Sequence, residues 1–122
     1  MSLGKWMESE IRAQPDVLAS NCTRYLEELR AAINGRTYDM VLLAARGSSD
    51  NAALYGRYLI EIHLGLPVSL AAPSVITRYR SEMRYPRCLA VGISQSGEAP
   101  DVSEVLAYMR ASGHTTLAIT NS

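Results

Sequence analysis

Hydrophobic residues in the first third of the chain recur at helical spacing. Leu18, Cys22, Tyr25, Leu26, Leu29 and Ile33 fall three or four positions apart, which lines them along one face of an α-helix. Pro15 suits the first turn of that helix, where its missing N–H would have no intrahelical partner, and Asn34-Gly35 offers a stop. The pattern predicts an amphipathic helix with a core-facing stripe. A shorter helix over residues 4–13 is expected before it, with Pro15 separating the two.

At Met40 the period changes. Met40-Val-Leu-Leu-Ala-Ala45 is a continuous apolar run of strand length without alternation, as expected for a strand covered on both faces of a parallel sheet. Polar residues 46–51 follow as a loop, and Leu54, Tyr58, Leu59 and Ile62 carry a helical pattern up to Gly65. Residues 67–71 read as a second strand, 74–84 as a short helix and Cys88-Leu-Ala-Val-Gly-Ile93 as a third strand. Residues 94–99 form a loop, 100–111 a helix and 115–120 a fourth strand. The order α-α-β-α-β-α-β-α-β requires right-handed crossovers and predicts an α/β fold. Its architecture is a doubly wound parallel sheet with helices on both faces, in flavodoxin-like three-layer αβα form, for which 2-1-3-4 is a common strand order. The expected division is an N-terminal helical segment over residues 1–37 and the α/β domain over 38–122. That domain is expected to be incomplete at its C-terminus, because a doubly wound fold normally covers its last strand with another helix.

Composition narrows the function classes. With 122 residues, 48% of them apolar, and twelve Lys/Arg balancing twelve Asp/Glu, the chain is neither disordered nor collagen-like. Cys22, Cys88, His63 and His114 lie too far apart for zinc-ligand spacing, so no metal site is expected. Lys5 is the single lysine; of the arginines, Arg78, Arg80, Arg84 and Arg87 lie closest together, with Glu82 among them and no aromatic recognition motif beside them. Nucleic acid is therefore not an expected partner. No apolar run reaches membrane-spanning length and the first residues lack a signal-peptide core, so no membrane partner is expected and the cytoplasm is the expected location.

Two loops carry the candidate chemistry. Gly92-Ile-Ser-Gln-Ser-Gly97-Glu-Ala-Pro-Asp101 passes from a strand end through hydroxyls and glycine into a helix. Exposed backbone N–H groups and the positive helix end favour an anion there, and Ser94, Gln95 and Ser96 add donors. Gly92 and Gly97 have P-loop spacing, but Glu98 stands where the phosphate-pairing lysine would be, and Gly47-Ser-Ser is not a dinucleotide fingerprint. A phosphate monoester fits better than a nucleotide. Gly47-Ser-Ser-Asp50 occupies the same kind of junction after the first strand. Both sequences also suit ordinary polar connections, with Ser49 or Asp50 capping the next helix. If the first and third strands are neighbours, however, the two loops open onto one crevice.

These segments resemble the sugar isomerase (SIS) domain family, and within it the isomerase modules of glutamine:fructose-6-phosphate amidotransferases. Residues 6–15, Ala45-Arg-Gly-Ser-Ser49, Arg57-Tyr58, Arg78-Tyr-Arg80, Ser94-Gln-Ser-Gly-Glu98 and Ile119-Thr-Asn121 carry the likeness. The resemblance implies that Ser49, Ser94, Gln95 and Ser96 bind the phosphate and nearby hydroxyls of a hexose 6-phosphate or an amino-hexose 6-phosphate. Ser48 would then lie near the sugar, with Gly47 and Gly97 shaping the turns. It also implies aldose–ketose interconversion by a phosphosugar isomerase or aminosugar-phosphate deaminase, with no metal, flavin or nicotinamide cofactor, in a homodimer. Ala99 departs from the pattern, since amidotransferases usually carry a phosphate-holding threonine there; Pro100-Asp101 is more similar to the stand-alone isomerases, deaminases and deglycases. The family's general base and ring-opening histidine lie beyond the matched segment, so no catalytic residue is assigned. Lys5, in the N-terminal helical region, is not expected to form a Schiff base; His63 and His114 read as surface or packing residues, and Glu98 as a complement to the helix dipole, with a base role toward a sugar hydroxyl as the lesser alternative. The alternative function is a non-catalytic sugar-phosphate sensor; no helix-turn-helix precedes residue 38, which disfavours a transcription regulator.

Overall fold

The computed structural model describes residues 4–96 and 98–121. They form two compact units that meet in sequence at Gly35 and Arg36. The first is one continuous helix, α1 (Lys5–Ile33), which runs through Pro15 rather than breaking there. Proline in a helix interior removes one hydrogen bond and costs about 3 kcal/mol relative to alanine. A break, however, would leave a full set of N–H and C=O groups to be capped, and neither Ala13 nor Gln14 is a good N-cap. No residue of α1 is buried, and Leu18 and Leu26 of the expected core stripe are 64% and 48% exposed. Periodicity determines which residues share a face, not what covers that face.

The second unit comprises β1 (Met40–Ala45), α2 (Ser49–Leu64), β2 (Val68–Leu70), α3 (Pro73–Thr77), β3 (Cys88–Ser94), α4 (Pro100–Ala111) and β4 (Thr115–Thr120). The four strands are parallel and ordered β2-β1-β3-β4, so β1 and β3 are the neighbours that a shared crevice requires. β1 is buried from Val41 through Ala45 because both of its faces are covered. On one face Leu42 and Ala44 pack with Val102, Val105 and Met109 of α4; on the other Val41, Leu43 and Ala45 pack with Ala53 of α2. Each fully buried side chain of this size adds about 1.5–3 kcal/mol of hydrophobic stabilisation, so the central strand and its two helices dominate the core.

Two elements differ from the sequence pattern. α2 meets the sheet through Ala53 and Ile60, with Gly56 close to Leu43, whereas Leu54, Tyr58 and Ile62 are 46%, 62% and 70% exposed. Small residues let the helix approach the sheet, and close approach outweighs the larger apolar row. The helix expected over residues 74–84 is only five residues long, Pro73–Thr77. Arg80 takes a left-handed conformation with φ 52°, and residues 78–84 are exposed, so no apolar face stabilises further turns. The connection is instead held by the Tyr108 hydroxyl, which accepts from the Met83 N–H at 2.9 Å and donates to the Met83 carbonyl at 3.1 Å.

Beneath the N-terminal ends of β1 and β3, the Asp39 carboxylate accepts from the Arg87 backbone N–H at 3.2 Å and from its guanidinium at 3.1 and 3.2 Å, while Arg87 Nη1 donates to Thr37 at 2.7 Å. These bonds hold the Asp39 carboxyl below the usual carboxylate range. Nearby, burial pushes the Cys88 thiol up to about 11, which makes it an inert core residue.

Two outcomes follow from this packing. A Cβ on Gly92 would lie 2.7 Å from Leu106 Cδ1 and 2.8 Å from Val102 Cγ1, so Gly92→Ala is expected to destabilise by about 1–3 kcal/mol in urea unfolding. A wild-type midpoint would show that α4 can move aside without loss. The Asp39 contribution is present above its unfolded pKa of about 3.9 and is lost as pH falls through the lower folded value. The Tm difference between wild type and Asp39→Asn should therefore shrink below about pH 4; a constant difference from pH 7 to pH 3 would contradict it.

Candidate functional site at the C-terminal ends of β1 and β3

β1 and β3 pair in register from Met40↔Cys88 to Ala45↔Ile93. They therefore end level, and the chain leaves both at one rim of the sheet. After β1, Gly47 adopts φ 62°, a left-handed value that glycine takes without steric cost, and turns the chain into α2. The Gly47 and Ser48 carbonyls accept from Asp50 and Asn51 at 3.1 and 3.2 Å, which closes the first turn. Ser48 is the N-cap position and Ser49 the first helical residue, and no side-chain cap bond forms. The capping role open to Ser49 or Asp50 in the sequence is therefore not taken up.

After β3 the Ser96 hydroxyl accepts from the Glu98 N–H at 3.1 Å. α4 then starts at Pro100 with Ala99 as N-cap, again without a side-chain cap bond. Two helix N-termini thus point to one rim, neither closed by its N-cap side chain, and their positive ends favour negative charge there.

Between the loops lies a hollow of about 250 Å³ lined by Arg46, Gly47, Ser48, Ser49, Ile93, Ser94, Gln95, Ser96 and Ala99. Six of the seven expected site residues come together here. The seventh, Gly97, lies outside the described residues. A second hollow of about 360 Å³ shares Ser49, Ile93, Ser94 and Gln95 and continues to Ile119, Thr120 and Asn121. The Asn121 N–H donates to the Gln95 carbonyl at 3.2 Å, fastening the end of β4 to the second loop. The two hollows form a cleft across three strand ends.

Sequence reasoning left Arg46 and Asp101 out of the site. Arg46 Nη1 stands 3.2 Å from Asp101 Oδ2, so an ion pair spans from the first loop to the first turn of α4. The available signal was position: Arg46 is the first residue after the buried strand, where a side chain must turn toward the rim. His63 is exposed in the last turn of α2, and half-buried His114 accepts the Cys88 N–H through Nδ1 at 3.3 Å; neither lines the cleft. Among the described residues no three His, Cys, Asp or Glu side chains are grouped to hold a metal ion, and no helix is long and apolar enough to cross a membrane.

This is a parallel α/β domain with its cleft at the topological switch point, where such sheets hold ligands. The family model described as SIS domain matches residues 38–122, and the chain belongs to the SIS domain family. The glutamine–fructose-6-phosphate aminotransferase (isomerizing) of Xanthomonas campestris pv. campestris is 39% identical over 126 residues, covering 95% of this chain. The corresponding Caulobacter vibrioides protein is 35% identical over 123 residues, covering 96%. The chain spans 20% of the length of each. Among solved structures, the C-terminal domain of glucosamine-fructose-6-phosphate aminotransferase from Francisella tularensis aligns with TM-score 0.70 and 26% identity, over 96% of this chain and 35% of that one.

A Cβ on Gly47 would meet nothing within 4 Å, so the effect of Gly47→Ala is conformational. It is expected to destabilise by about 1 kcal/mol, with Gly47→Asn costing less because asparagine tolerates the left-handed region. Equal Tm losses for the two variants would argue against a left-handed turn.

Proposed function

We propose that this chain is a sugar-phosphate-binding SIS domain of a phosphosugar isomerase or aminosugar-phosphate deaminase. The observation that carries the reading is the meeting of two serine-bearing turns, from strands joined by a long crossover, in one hollow between two helix N-termini. Ser49, Ser94, Gln95 and Ser96 would hold the phosphate of a hexose 6-phosphate or an amino-hexose 6-phosphate. Ser48 would face the sugar, and Gly47 and Gly97 would shape the two turns. The second hollow offers room for the carbon chain beside Thr120 and Asn121.

The relatives named for fructose 6-phosphate support this substrate class. The reaction we infer is aldose–ketose interconversion through an enediol: a base moves the proton from the carbon beside the carbonyl to the former carbonyl carbon, while the carbonyl oxygen gains a proton and the neighbouring hydroxyl loses one. The hydroxyl, amide and guanidinium groups of the hollow suit binding rather than proton transfer near neutral pH. We therefore assign the acid–base groups to segments or subunits outside this chain, in a cytoplasmic homodimer. Residues 38–122 serve as part of the module and residues 1–37 as its helical N-terminal segment.

Calorimetric titration of the full chain with glucosamine 6-phosphate, fructose 6-phosphate and the two unphosphorylated sugars tests the reading. Phosphorylated ligands should bind at least about tenfold more tightly, and Ser94→Ala and Ser96→Ala should each weaken them by about tenfold or more, since hydrogen bonds to a charged oxygen contribute about 1.5–3 kcal/mol. Equal affinity for phosphorylated and free sugars, or no binding of either, would overturn it.

A further inference from the structure

The ion pair between the two loops has a role beyond joining them: we propose that Arg46 reads the charge of the ligand's phosphate and that Asp101 is its positioning residue. This inference deepens the reading of the site given above and rests on it. Arg46 follows Ala45, the last buried residue of β1, and lines the same hollow as Ser49, Ser94 and Ser96. Among the described residues lining that hollow, it carries the formal positive charge.

A phosphate ester carries a charge of about −1.5 to −2 at pH 7. Serine hydroxyls, the Gln95 amide and backbone N–H groups give it directional bonds but no net charge. The partial positive end of α4 is offset by Asp101, which lies in the first turn of that helix. A dianion beside an unneutralised Asp101 carboxylate would be repelled, so the site needs a cation between them. Arg46 lines the hollow and Asp101 does not, which puts the guanidinium on the hollow's side of the pair. Its Nη1 lies 3.2 Å from Asp101 Oδ2, and the planar guanidinium fork has further N–H donors for phosphate oxygens.

The two side chains are 59% and 41% exposed, so the pair is screened by water and adds little to folding. Its consequence is geometric: Asp101 holds a long, flexible side chain at the rim of the hollow, which reduces the freedom that Arg46 loses when a ligand arrives. Ala99, also in the lining, has no hydroxyl to offer, and the guanidinium supplies an anion contact on that side.

The test is titration of the full chain with fructose 6-phosphate at roughly 20 and 300 mM sodium chloride. Wild type, Arg46→Gln, Arg46→Lys, Asp101→Asn and the Arg46→Gln/Asp101→Asn double variant are compared, with thermal melting to confirm that each is folded. Arg46→Gln should weaken binding by about tenfold or more and flatten its salt dependence, while Arg46→Lys restores the salt dependence but only part of the affinity. Asp101→Asn should weaken binding by about threefold in wild type but tighten it once Arg46 is Gln, because the carboxylate then only repels the phosphate; this reversal is the signature of action through Arg46. Wild-type affinity and salt dependence in Arg46→Gln, or equal or tighter binding in Asp101→Asn, would overturn this inference and leave the phosphate site standing. Failure of wild type to bind fructose 6-phosphate would overturn both.

Discussion

The register between β1 and β3 is the constraint on which the rest of the second unit depends. Because Ala45 pairs with Ile93, two loops separated by more than forty positions in sequence leave the sheet side by side at one height. A shift of one residue would turn Leu42 and Ala44 from the α4 face toward α2, and the two core clusters would exchange faces. Burial on both faces therefore fixes the register, and the register fixes the distance between the loops. The hydroxyls at the rim inherit their placement from apolar packing several residues below them.

The helices contribute direction. α2 and α4 lie on opposite faces of the sheet, yet both begin at the same rim because each follows a parallel strand. Neither N-terminus is closed by its N-cap side chain, and at α2 the Asp50 and Asn51 N–H groups donate to the Gly47 and Ser48 carbonyls instead. The positive helix ends therefore reach the rim with no side-chain oxygen from either cap position in front of them. SIS family membership fits this arrangement and the sequence similarity to fructose-6-phosphate enzymes.

Much of this was legible in the sequence. Met40–Ala45 and Thr115–Thr120 read as strands to the residue because apolar runs bounded by polar turns leave little choice. The alternation of elements implied parallel strands but left their order open; the β2-β1-β3-β4 arrangement, and with it the pairing of the serine loops, comes from the folded sheet. Three further features were not legible. Pro15 looked like a boundary, because a pattern cannot weigh one lost hydrogen bond against two uncapped ends. The large apolar residues of α2 looked like its inner face, because periodicity favours size where close approach favours Ala53 and Gly56. The Arg46–Asp101 pair joins residues 55 positions apart and shows no spacing signal; only folded geometry brings them within 3.2 Å.

The Asp39–Arg87–Thr37 cluster sits where β1 and β3 begin, while the serine turns sit where those strands finish. The exposed bonds that tie the strand starts together and the cleft that we propose as a binding site thus stand at opposite poles of the sheet. Exchanges at one rim leave the bonds at the other untouched, so the two ends of the frame can vary independently.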